Sequence, residues 1–247
     1  MIKTMKRTLG VVIGLMLMIT LIPMSVFAAN NNVPSTYNDG KGKIQGEVDL
    51  SNVAHNQGSE VSKDGKLFYI GSVGGTVEAN DLFEGAYDKF VKDFKGQKEF
   101  FTGKYYENLV MFDKGKEFPS IKYTVIFPKN FNVDVDGITV TENTETIGKI
   151  EKNYDKANNS VTIRFYLGSW NDYKGFFEIY EKEKGTTGHP ISLNIPYSVE
   201  ITDQSVTSLG TINSNGKCEL YKYGGIFGYG SNIVNVTSKP LSFDVTR

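Results

Sequence analysis

The chain has 247 residues, 27 Lys and Arg against 28 Asp and Glu, a net charge of −1 and a single cysteine. A near-neutral balance without a basic block argues against a nucleic-acid or anionic-membrane partner, and a lone Cys218 rules out an intramolecular disulfide. The length is enough to bury one sizeable core.

Lys3, Lys6 and Arg7 precede an apolar run over 9–22, and small residues lead up to Ala28. This is the pattern of a secretory signal over residues 1–28, cut after Ala28. The run is shorter than the ~20 residues of a spanning helix. Removing the signal leaves 24 of the 27 basic residues against 28 acidic ones. The expected location is secreted or extracellular, with no membrane contact after cleavage. No wall-sorting motif is visible in the chain, so any hold on the cell surface is expected to be non-covalent.

Residues 29–42 are rich in Asn, Ser, Gly and Pro and read as a disordered leader. A strand is expected over 43–50, a polar loop over 51–65, and two short strands over 67–70 and 76–79. A helix follows near 81–95, with Asn80 or Asp81 as cap and Gly96 as stop. Phe83, Tyr87, Phe90, Val91 and Phe94 fall at spacings of three and four, a stripe suited to lying on a sheet. Gly85 inside it costs roughly 1 kcal/mol relative to Ala, so packing has to hold this helix.

From 104 onward the pattern is strand and turn. The expected strands are 105–112, 120–127, 131–141, 146–154, 160–167, 175–182, 190–202, 206–212, 217–223, 231–237 and 240–246. Alternation makes apolar rows of Val161, Ile163, Phe165 and Leu167, and of Ile191, Leu193, Ile195, Tyr197, Val199 and Ile201. One dry and one wet face per strand is the mark of antiparallel sheets. The fold class is therefore mainly β: an antiparallel β-sandwich, Ig-like or related, with one short helix near 81–95. It occupies 43–247 as a single domain, with 43–103 as an alternative N-terminal subdomain. Pro196 lacks an N–H and predicts an edge or a bulge in its strand.

Little in the sequence carries catalytic chemistry. His55 and His189 lie in a polar loop and a turn without an evident partner. Cys218 reads as a buried thiol acting as a small apolar residue. Lys122 and Asp244 occupy wet parities, against an isopeptide crosslink. Glu178, Glu181, Glu200 and Asp203 read as solvated acids rather than a hydrolytic pair. Asp134, Asp136 and Asp155 lack the spacing of a calcium loop. No catalytic residue, metal or cofactor is expected. The better binding candidates are two aromatic loops: 168–175, with Trp170 and Tyr173, and 221–230, with Tyr223 and Tyr229. Exposed Trp and Tyr suit sugar rings or a protein contact. Trp170 could equally fold back to cap the core.

The run Thr124-Val125-Ile126-Phe127-Pro128, followed by Phe131-Asn132-Val133-Asp134-Val135, resembles Gram-positive extracellular adhesin domains of Ig-like β-sandwich type. The resemblance implies an attachment or matrix role and supplies no site residue. The expected function is a secreted, non-catalytic cell-surface or matrix binding protein, its partner a host or matrix protein or a glycan. The alternatives are a self-assembling extracellular matrix component, built by edge-strand pairing, and an extracellular hydrolase.

Overall fold

The computed structural model describes residues 33–39, 42–100, 102–223 and 229–247; the expected signal over 1–28 lies outside them. Two sheets face each other across the core, and two helices pack against them. The larger sheet contains β1 (Ser35–Tyr37), β2 (Ile44–Val48), β5 (Met111–Asp113), β6 (Ser120–Ile126), β9 (Ile147–Asp155), β10 (Ser160–Leu167), β12 (Ser208–Tyr223), β13 (Tyr229–Ser238) and β14 (Leu241–Thr246). Its order is β1-β2-β13-β12-β6-β10-β9. β12 is long enough for two partners on each edge: β6 and β5 on one, β14 and β13 on the other. The smaller sheet holds β3 (Ala54–Lys63), β4 (Lys66–Glu78), β7 (Asn132–Val133), β8 (Thr139–Glu142) and β11 (Pro190–Ile201). The fold is mainly β and antiparallel, as the alternation implies; β13 and β2 form the one parallel pair among the described strands.

The apolar rows meet in the interlayer. Val161, Ile163, Ile195, Tyr197 and Val199 are buried, and Val125, Ile212 and Leu220 join them from β6 and β12. The register places Val161 opposite Val125 and Ile195 opposite Val73, so each pair shares the inward face.

Several boundaries differ from the sequence reading. The expected loop over 51–65 is β3, and the two short strands after it are one β4. Asp64 and Gly65 take φ of 52° and 76°, the positive values that a two-residue hairpin turn requires. β3 reads as a loop because it is a polar edge strand. The run over 131–141 breaks into β7 and β8 around the turn at Asp134 and Gly137. Pro196 sits where the outer partner of β11 changes, since β8 pairs 191–194 and β7 pairs 197–198. Its carbonyl accepts from Asp134 N on that side, so its missing N–H faces the gap between the two partners. The expected disordered leader contains β1, paired antiparallel to β2. Tyr37 anchors it, with its ring against the backbones of Gly46 and Gly85.

The largest correction is at 175–182. These residues are not a strand but part of α2 (Tyr173–Glu183), which packs on α1 (Ala79–Asp93). Tyr173, Phe176, Phe177 and Tyr180 recur at helical spacing and are all buried. The Asp172 side chain accepts from Gly175 N at 2.7 Å and caps the first turn. The aromatic stripe of α1 therefore meets a second helix as well as a sheet. Phe90 stacks on Phe177 at 4.7 Å between centroids, and Phe83 meets Phe176 edge-on at 5.2 Å. Val91, read as part of that stripe, is exposed.

Candidate binding site

The site grows from the segment joining β10 to α2. The Asp172 cap fixes the start of α2, and Asn171 accepts from Met111 N at 2.8 Å, tying the segment to β5. Tyr173 is 3 % exposed, and its hydroxyl donates to the Ile233 carbonyl at 2.9 Å. Trp170 lies against Gly175, where an added Cβ would fall 2.4 Å from the Trp170 Cβ. Trp170 as a residue remains 59 % exposed.

Behind Trp170 lies a cavity of about 200 Å³ between the sheets. The larger sheet lines it with Ile44, Ile121, Phe165, Cys218, Leu220 and Val236. The smaller sheet adds Ala54, Gly75, Val77, Ile191 and Leu193, and the helices add Leu82, Phe83, Ala86, Tyr173 and Phe176. The small residues Ala54, Gly75, Ala86 and Gly216 sit in the lining; at Gly75 an added Cβ would fall 2.4 Å from the Val53 carbonyl oxygen, so that glycine answers a close backbone approach. Burial pushes the Cys218 thiol up to about 12 and also raises Tyr173, Tyr37 and Tyr123. Such a medium disfavours charge. Cys218 is thus the buried apolar thiol that its parity suggests.

The four aromatic candidates divide. Trp170 and Tyr173 line one cavity, but Tyr173 is a core residue and not an exposed contact. Tyr223 is 55 % exposed and meets Phe112 edge-on at 5.9 Å. It donates its backbone N–H to the Val110 carbonyl. The neighbour of Phe112 on β5, Met111, lines the cavity. The two aromatic segments therefore flank β5. Tyr229 opens β13 opposite Tyr223; its side chain and residues 224–228 lie outside the described residues. The cavity itself escaped sequence reading. Its one signal was the set of Gly and Ala residues on inward strand parities, which becomes informative only when the facing layer is known.

The other chemical candidates resolve individually. His189 does find a partner: its Nδ1 lies 3.6 Å from buried Glu183. The carboxylate of Glu183 also accepts from Thr144 Oγ1 and Glu145 N, closing the end of α2 onto the loop before β9. Glu178 and Glu181 lie on α2 rather than on a strand, paired to Lys174 and to Tyr87 and Lys95. Glu200 pairs with Lys66, and Asp203 accepts from Ser205. Lys122 pairs with Asp113 at 2.9 Å, while Asp244 accepts from Thr211. Asp134 and Asp155 accept backbone N–H groups of their own turns. Among the described residues no three His, Cys, Asp or Glu side chains gather to hold a metal ion.

No family model matches the chain, and no curated protein matches it. Among solved structures it is similar to the major pilin subunit BcpA of Bacillus cereus, at 10 % identity and a TM-score of 0.26, over 85 % of this chain and 47 % of that one. The chain spans about half the length of that pilin.

Proposed function

We propose that this chain is an exported, non-catalytic binding protein that seats a small molecule in the interlayer cavity beside Trp170. The observation that carries the reading is the cavity: about 200 Å³, lined by both sheets and both helices, with one exposed aromatic ring among its lining residues. Apolar clefts with an amphipathic rim are the usual form of a small-molecule site. The sequence of residues 1–28 supports export. Glu178, Glu181, Glu200 and Asp203 each hold a local partner, which favours binding over hydrolysis. Pairing at the β9 and β3 edges is disfavoured by charge, because β9 carries Lys149, Glu151 and Lys152 and β3 carries Glu60 and Lys63.

Trp170 is the only tryptophan, so its emission reports directly on the rim. Native mass spectrometry of protein recovered from its own secretion medium should show a stoichiometric small-molecule adduct. Trp170→Ala should weaken adduct retention about tenfold, as loss of an aromatic contact does, with the melting temperature unchanged. Equal losses of binding and melting temperature, or turnover of a polysaccharide or peptide panel, would overturn the reading.

A further inference from the structure

We propose that the cavity takes one linear alkyl chain of an amphiphile, its polar head left outside beside Trp170; this rests on the cavity being the binding site. The lining gives the shape. It follows β12 from Gly216 to Leu220, four residue steps or roughly 14 Å of strand at about 3.4 Å each. It also reaches from Val48 and Val53 to Phe176 and Trp170 on the second helix and its approach. A volume of about 200 Å³ extended along that strand suits one linear chain. It exceeds the ~150 Å³ of an engineered apolar cavity that stays dry and binds benzene.

The chemistry of the wall agrees. Val77, Leu82, Ile121, Ile191, Leu193 and Val236 present only carbon to the space. Tyr173 already donates to the Ile233 carbonyl and Tyr123 to Ser214 Oγ, so neither hydroxyl is free to donate to a sugar. A polar ligand group set against the hydrocarbon part of the wall would be buried without a partner, which is costly. Methylenes lose nothing by entering. The polar end of the ligand is served instead by the rim, where Trp170 is exposed.

The test is displacement of cis-parinaric acid, a linear fluorescent polyene acid, from the full processed protein by a straight-chain alcohol series. Affinity should rise about fourfold with each added methylene, the ~0.8 kcal/mol that burying one contributes, and level off on the order of ten carbons, where the roughly 14 Å of strand is filled. Trp170 emission should shift in parallel. Ala86→Leu with Val236→Phe fills the space and should abolish displacement at an undiminished melting temperature. Should that variant fail to fold, the unaltered protein still decides the matter. Saturating decanol should slow labelling of Cys218, a lining residue and the only thiol, by an apolar disulfide at high pH at least tenfold. A flat chain-length series, or association with phosphatidylcholine vesicles without displacement by monomeric alcohols, overturns the alkyl assignment. Binding of a cyclic or sugar ligand that the filled variant loses also rejects the chain and keeps the cavity as a site. Probe binding that survives in the filled variant rejects both.

Discussion

Gly85 shows how one residue can carry opposite meanings alone and in place. In an isolated helix it is a weak point, and Ala there gains roughly 1 kcal/mol. In this fold an added Cβ would lie 2.2 Å from Ser35 Oγ and 2.6 Å from the Tyr37 ring. Gly85→Ala should therefore destabilise the protein by about 1–3 kcal/mol, the cost of overpacking, read as a lowered midpoint in urea. A stabilised variant would show that β1 does not dock on α1. Asp113 is the second such case. Burial alone would raise its carboxyl, but hydrogen bonds from Ser120 and Lys122 and the Lys122 charge outweigh this and hold it below its ordinary value. Arg164 adds a contact at 2.9 Å. Because the folded value is the lower one, the stabilisation is complete above the unfolded carboxylate value of about 4 and fades as the pH falls through the folded value. Asp113→Asn should cost about 3 kcal/mol at neutral pH, as breaking a buried pair does. It should also flatten the decline of melting temperature between about pH 5 and pH 2; an unchanged acid slope would show that other carboxylates set it.

At the scale of elements, the helix pair decides the end of the sandwich that holds the candidate site. Phe177 contacts Tyr87, Phe90, Tyr173, Phe176 and Tyr180. Phe177→Ala should cost about 3–5 kcal/mol and loosen the approach to α2, so that Trp170 emission moves toward that of the unfolded chain before the sheets melt. An identical midpoint by Trp170 emission and by strand circular dichroism in this variant would show the helix pair to be inseparable from the sheets. The helix was open to two readings in the sequence. Phe177 and Ile179 satisfy a strand period of two, whereas Tyr173, Phe176, Phe177 and Tyr180 satisfy the helical one, with Asp172 as cap. The second pattern fits more residues, and weighing both templates over the same window would have found it. β3 posed a different problem. Its polar composition belongs to an edge strand, and only the Asp64-Gly65 turn marks it as half of a hairpin.

At the scale of the whole molecule, residues 43–103 do not segregate. β2 belongs to the larger sheet, β3 and β4 to the smaller, and α1 reaches both β2 and β4. One cooperative unfolding transition is expected for the unaltered protein, with Trp170 emission and circular dichroism coinciding in urea; two separated midpoints would restore a subdomain. The network of buried Asp113 and partly buried Arg164 with the more exposed Glu117 and Lys122 binds the turn between β5 and β6 to the larger sheet. It carries no part of the cavity.

By itself the sequence determined the fold class and the dry faces, because period-two alternation is a local property and each strand carries its own. It also determined that Cys218 turns inward and that Trp170 and Tyr173 stand at a junction. Only the tertiary structure decided that Tyr173 is core, that Glu183 meets His189, and that a second helix completes one end. It alone placed Ala54, Gly75, Ala86 and Gly216 around one space. A cavity is the volume that facing side chains fail to fill, and which side chains face each other across two sheets is set by long-range register, which no single stretch of chain encodes.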